Sequence, residues 1–174
     1  MNPLFETTHL YIRKFELSDA EHLYRNHSEE AMRKWIPNEY YADIAEAKNA
    51  IRFYRSCVET GHLPYVLAVE SKETGELIGD TGINEVDGHP QEVEIGYSIS
   101  EKFSGRGYAT ELVKAMSEFA FKSFGIRILY GRVLYGNDAS VRVLTKNGYQ
   151  FVGEESGAED DPYGNGMWIY KKQL

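Results

Sequence analysis

The chain has a single cysteine, Cys57, among 174 residues. One thiol excludes an internal disulfide and leaves no cysteine pair for a metal or redox motif. Cys57 lies inside a helical pattern, where a small buried side chain is expected rather than a nucleophile. Positive charge is also scarce: 19 Lys and Arg against 27 Asp and Glu give a formal charge of −8. That balance argues against sequence-independent nucleic-acid binding, which needs Lys and Arg to neutralise phosphates. No apolar run approaches the roughly 20 residues of a membrane span. The segment Met1–Glu6 lacks the basic-then-apolar layout of a secretion signal. A cytoplasmic location without a membrane partner is the expectation. The five histidines, at 9, 22, 27, 62 and 89, show no metal-ligand spacing, so no metal is expected. Repeats, low-complexity tracts and interdomain linkers are missing too, and residues 1–174 read as one domain.

What the chain does contain is a clear succession of patterns. Leu10–Arg13 alternates as a strand. Ser18 and Glu21 have the spacing of a capping box, opening a short helix over Glu21–Asn26. A second short helix near Glu29–Lys34 stops at Trp35-Ile36-Pro37. Ile44, Ala47, Ile51, Tyr54 and Val58 recur at helical spacing until Gly61. Strands are expected at Tyr65–Glu70, Leu77–Asn84 and Val93–Ser100. A long helix with Leu112, Met116, Phe119 and Ala120 on one face follows and closes at Gly125. Next come a strand at Ile128–Val133, a short helix at Asp138–Lys146, and strands at Tyr149–Glu154 and Met167–Lys171. Helices and strands mix without strict alternation. The fold class is therefore α+β, a mixed, partly antiparallel sheet of about seven strands flanked by helices.

The most informative stretch is Ser104-Gly105-Arg106-Gly107-Tyr108-Ala109-Thr110, between a strand and the long helix. A Gly-rich turn that opens a helix aims several backbone N–H groups at one point, and the helix end favours an anion there. Glycine lets a pyrophosphate approach where a Cβ would block it. No Gly-Lys-Ser or Gly-Lys-Thr follows, which excludes a P-loop hydrolase.

With this turn stand Gly75-Glu76-Leu77-Ile78-Gly79, Glu94-Ile95-Gly96-Tyr97, Asn137-Asp138-Ala139-Ser140 and Lys146-Asn147-Gly148-Tyr149, in that order. Together they resemble the GNAT acetyltransferase superfamily, and within it the RimJ/RimL group of ribosomal-protein N-acetyltransferases. The resemblance covers nearly the whole chain. It implies the GNAT fold, with splayed central strands Val93–Ser100 and Ile128–Val133, and acetyl-CoA as cosubstrate. The family's anion-binding pattern falls on Ser104–Ala109; Ser104 stands where Gln or Arg is usual. The resemblance assigns the coenzyme's pyrophosphate to Ser104, Gly105, Arg106, Gly107, Tyr108, Ala109 and Thr110. It assigns the pantetheine arm to the strand edge at Ser98, Ile99 and Ser100, with Asn137, Ser140 and Lys146 as further coenzyme contacts. Backbone N–H groups near Ser98 and Ile99 would polarise the thioester carbonyl.

The implied reaction is N-acetylation of a primary amine, a protein N-terminus or a small molecule, by direct attack in a ternary complex. The alternative is a non-catalytic acyl-CoA sensor. An α-amine is easier to deprotonate at neutral pH than a lysine, by about 1 against roughly 4.6 kcal/mol. Glu94 or Glu92 is expected to take the proton; as ordinary residues of a half-exposed strand, neither would. Ser140 is expected to protonate the thiolate, with Tyr135 and Tyr149 as other candidates; Asn137 and Ser140 could equally cap a helix. Trp35 and Tyr97 are candidates for the acceptor side. The acidic run Glu154, Glu155, Glu159, Asp160 and Asp161 either attracts a cationic acceptor or is a solvated loop. Oligomeric state is not legible in the sequence.

Overall fold

The computed structural model describes residues 2–174. Among them, eight strands form one sheet in the order β1-β2-β3-β4-β5-β6-β8-β7. The strands are β1 (Phe5–Glu6), β2 (Leu10–Arg13), β3 (Tyr65–Ser71), β4 (Leu77–Glu85), β5 (Glu92–Ile99), β6 (Ile128–Leu134), β7 (Gln150–Glu155) and β8 (Met167–Gln173). The helices are α1 (Ala20–Ser28), α2 (Glu30–Trp35), α3 (Ile44–Thr60), α4 (Tyr108–Phe124) and α5 (Asp138–Lys146). The eighth strand, beyond the seven expected, is the two-residue β1, too short to produce a periodic signal. No helix of the described residues is long and apolar enough to cross a membrane.

The sheet is covered on both faces. Leu112, Val113, Met116 and Ala120 of α4 pack with Leu67, Val69, Val93 and Ile95. On the opposite face Ala20 and Leu23 of α1, with Ala47 and Ile51 of α3, enclose Phe15 and Ala68. Adjacent residues of β3 thus feed different cores, which explains its near-continuous apolar run. Asp43 caps α3 by accepting from the Glu46 N–H (2.8 Å), and Gly61 closes it in the left-handed region.

The capping box expected at Ser18 and Glu21 does not form. Ala20 begins α1, while Asp19 accepts from the Glu16 N–H (2.7 Å) and from the Arg13 guanidinium at 2.8 and 2.9 Å. The capping box forms two residues earlier, between Glu16 and Asp19, while Glu21 pairs with Arg25 on the surface of α1. A 3-10 turn over Glu101–Phe103, not legible as a periodic pattern, separates β5 from the Gly-rich turn.

All neighbouring strands pair antiparallel except β5 and β6, which are parallel. Their ladder holds only three rungs, Glu92 with Ile128, Val93 with Leu129 and Glu94 with Tyr130. Beyond Glu94 the strands diverge while each remains paired on its other side, β5 to β4 through Ile99 and β6 to β8 through Leu134. The sheet is thereby wedged open at its centre, and the facing backbone edges lose their partners. On the far side of β5, a Cβ on Gly79 would lie 2.0 Å from Ser98 O, so close pairing of β4 and β5 requires glycine there.

Candidate active site

The wedge points toward the N-terminus of α4. Gly105 (φ 74°) and Gly107 (φ 82°) both occupy the left-handed region, and no atom lies within 4 Å of the Cβ position of either. Among the described residues, no N–H from Gly105 to Thr110 donates a hydrogen bond within the protein; the first helical bond there runs from Glu111 N–H to Gly107 O. Six open donors at a helix N-terminus form a concave anion cradle. Ser104 is at its border, not in it: its N–H (3.1 Å) and hydroxyl (2.8 Å) both donate to Glu101 O. Lys146 is exposed at the end of α5, beside Asn147, whose amide donates to Thr110 O (3.1 Å) and ties the two helix ends together.

The edge of β5 supplies further donors. Ser100 N–H donates to Ile78 O on the β4 side. Main-chain groups alternate along a strand, so Ser98 also addresses β4, whereas Tyr97 and Ile99 turn their N–H groups into the wedge. Of the expected pair, then, Ile99 faces the gap and Ser98 does not. The Ser100 hydroxyl donates to Glu29 Oε1 (2.6 Å), and Glu101 N–H donates to Glu29 Oε2 (2.8 Å), fixing α2 to the end of β5.

Across the wedge, the Tyr97 and Ser140 hydroxyls are hydrogen-bonded to each other. Desolvation pushes the Tyr97 phenol up to about 12, against the opposing effect of the Ser140 bond. Asn137 caps α5 by accepting from Ser140 N–H (3.3 Å). The cap therefore forms, and it also presents the Ser140 side chain to β5. Tyr149 does not reach the gap: its hydroxyl meets Ser117 Oγ at 2.7 Å inside the α4 core. Tyr135 lies tilted against Trp168 (4.9 Å between ring centroids), and Glu154 raises its phenol pKa.

The two glutamates of β5 part company. Glu92, on the first rung, faces the Tyr130 hydroxyl (3.4 Å) and His89 (3.5 Å). Glu94, on the last rung, lies where the wedge begins. Desolvation raises its pKa, opposed by Arg132, whose Nη1 is 3.6 Å from its carboxylate. Arg132 is held in turn by Asp160 at 2.7 and 3.0 Å and by Glu155. Asp161 is buried and accepts from the N–H groups of Asn165 (3.2 Å) and Gly166 (2.8 Å). Three of the five loop acids are thus structural, and the loop is not a free acidic field. Trp35 reaches over the β6–α5 turn, with its ring edge 3.6 Å from the Cβ position of Gly136, next to Asn137.

One group was not found from the sequence. His27 of α1 is buried, and its Nε2 is 2.6 Å from Asp80 Oδ2 on β4. Its Nδ1 has no hydrogen-bond partner and faces Glu39 Oε2 at 3.9 Å. Burial works to lower the His27 pKa, but the charge and hydrogen bond of Asp80 outweigh it and raise the group to about 9. These three side chains place ligand atoms within 4.8 Å of one another. The 2.6 Å contact is a hydrogen-bond distance, shorter than the about 3.3 Å between two ligands sharing a tetrahedral zinc. A proton shared between His27 and Asp80 accounts for that contact.

Residues 9–150 match the family model of the acetyltransferase (GNAT) domain. The chain is 28% identical over 147 residues to the uncharacterised N-acetyltransferase p20 of Bacillus licheniformis, covering 84% of this chain and 82% of that protein. It is 26% identical over 166 residues to the putative ribosomal N-acetyltransferase YdaF of Bacillus subtilis, covering 91% and 86%. The fold superposes on RimL, a ribosomal L7/L12 α-N-protein acetyltransferase solved with coenzyme A, with a TM-score of 0.82, 18% identity and coverage of 99% and 98%. A family match over most of its length, joined to the open cradle and central wedge, makes this chain a member of the GNAT acetyltransferase family.

Proposed function

We propose that this acetyltransferase acetylates a primary amine, in first place an N-terminal α-amine, by direct attack within a ternary complex. The observation that carries the reading is the wedge between β5 and β6, with unpaired donors at one end and carboxylates at the other. The six amides from Gly105 to Thr110 suit a pyrophosphate, since glycine conformations and open space leave the donors accessible. Acetyl-CoA, held there, supplies the acetyl thioester. The amides of Tyr97 and Ile99 then stand where they can stabilise negative charge on a carbonyl oxygen. Ser140 faces the same gap and keeps its proton at neutral pH, as does Tyr97 behind it; the pair is suited to protonating a departing thiolate. Of the two β5 glutamates, Glu94 lies at the mouth of the wedge, its pKa raised by desolvation against the opposing charge of Arg132, where it adds negative charge to attract an ammonium.

The preference for an α-amine rests on energetics. At pH 7 an α-amine is deprotonated at a cost of about 1 kcal/mol, against roughly 4.6 for lysine. The likeness to the putative ribosomal N-acetyltransferase YdaF supports a protein acceptor. The test is release of free thiol from acetyl-CoA against a panel of N-terminal peptides, lysine side chains and small amines, with coenzyme binding measured by calorimetry. Turnover with N-terminal peptides is the expected result. Tight coenzyme binding without transfer to any amine would instead identify a sensor.

A further inference from the structure

We propose that Glu39 is a further catalytic residue, whose carboxylate takes the proton from the incoming amine above the buried Asp80–His27 pair. The inference rests on the transferase reading above. Glu39 lies in the turn after α2, where its N–H donates to Ile36 O (3.1 Å), four residues beyond Trp35, whose ring edge meets the β6–α5 turn at Gly136. Its side chain keeps 46% of its surface open to solvent, yet it faces His27, which is only 1% exposed. A buried imidazole anchored through Nε2 leaves its unpartnered Nδ1 toward that accessible carboxylate. A second buried polar atom without a partner, Ser98 Oγ, belongs to the residue opposite Asp80 across the ladder. An unpartnered buried Nδ1 that faces a reachable carboxylate at 3.9 Å, with a second unpartnered polar atom on the neighbouring strand, marks a place for a polar ligand.

The surroundings give Glu39 the properties of a base. His27 faces it from α1, Asp80 from β4, Glu94 from β5 and Asp160 from the β7–β8 loop. The hydroxyls of Tyr41 and Tyr54 lie within range of both Glu39 and Asp80. Arg132 is occupied with Glu94, Glu155 and Asp160. Desolvation first, then the charge of Asp80, moves the Glu39 carboxyl up to about 7, with His27 pulling the other way. A carboxyl so raised takes a proton from an α-amine, pKa about 7.7–8.0, far less uphill than from a lysine at about 10.4. Glu94 is less suited, because Arg132 favours its ionised form at the expense of proton affinity.

Two N–H protons leave the ammonium as it becomes an amide. The first moves to Glu39 and onward to solvent. The second leaves nitrogen as the C–N bond forms and the C–S bond breaks; Ser140 gives its proton to the departing sulfur and is reprotonated through solvent by the proton released from nitrogen, so the hydroxyl ends as it began. The test is the pH dependence of kcat/KM for an N-terminal peptide, combined with 13C NMR titration of glutamate carboxyls. Glu39→Gln is expected to lower kcat/KM about 100-fold and abolish an acidic limb near pH 7, with acetyl-CoA affinity unchanged. Glu39→Asp should restore the limb, and Glu94→Gln should retain it. If Glu39→Gln keeps the limb, or Glu39 titrates below pH 5, this inference falls while the transferase reading stands. A wild-type chain that binds acetyl-CoA and acetylates no amine overturns both.

Discussion

Replacing Asp80 by Asn tests whether a charge, rather than shape, holds the acceptor side together. The change keeps the volume and leaves an acceptor for His27 Nε2, but removes the carboxylate 2.6 Å from a ring that is 1% exposed. In the native chain His27 titrates at about 9, against about 6.5 in an unfolded peptide. A histidine whose folded pKa is raised stabilises the fold fully below the unfolded value and loses that contribution as pH rises through the folded one. The window is therefore pH 6.5 to 9, and the separation corresponds to about 3 kcal/mol. Denaturant unfolding at pH 6 should show Asp80→Asn less stable than wild type by about 3 kcal/mol, because a buried charge has lost its partner. At pH 9.5 and above, with His27 neutral in both proteins, the gap should shrink to within about 1 kcal/mol. A gap of equal size at both pH values would refute the reasoning and assign the loss to packing.

Two further outcomes follow from the wedge. Gly107→Ala places a Cβ at φ 82°, costing about 1–2 kcal/mol of left-handed strain; calorimetry should show acetyl-CoA affinity reduced about tenfold. Tyr97→Phe removes the hydroxyl partner of Ser140, and kcat should fall about tenfold with acetyl-CoA affinity unchanged; combined with Ser140→Ala, the losses should be non-additive because the two hydroxyls share one bond.

Much of the fold was legible because its signals are local. Apolar spacing along Ala47 and Ile51, and along Leu112, Met116 and Ala120, reports helices whose faces are in fact buried. Gly61, Gly107 and Gly125 mark helix ends because the left-handed conformation they adopt is costly for other residues. The Ser18–Glu21 pattern misled because the neighbouring pair Glu16 and Asp19 has the same three-residue spacing and forms the box, with Arg13 further anchoring Asp19. The 3-10 turn Glu101–Phe103 was invisible, being too short for any periodicity to emerge.

The candidate site divides along the same line. Residue order alone set the glycine turn, the helix behind it and the resemblance that names the family. Which backbone donors stay unpaired depends on β5 meeting β6 for only three rungs, a property of the sheet and not of either strand. Tyr97 and Ser140 are 43 positions apart, and His27 and Asp80 are 53 apart. Glu39 owes its proton affinity first to desolvation and then to the charges of Asp80, Glu94 and Asp160 on three separate elements, against the opposing charge of His27. Conformation is encoded within a few neighbouring residues, but electrostatic environment is a sum over whatever the folded chain brings near, and only the tertiary structure fixes that sum.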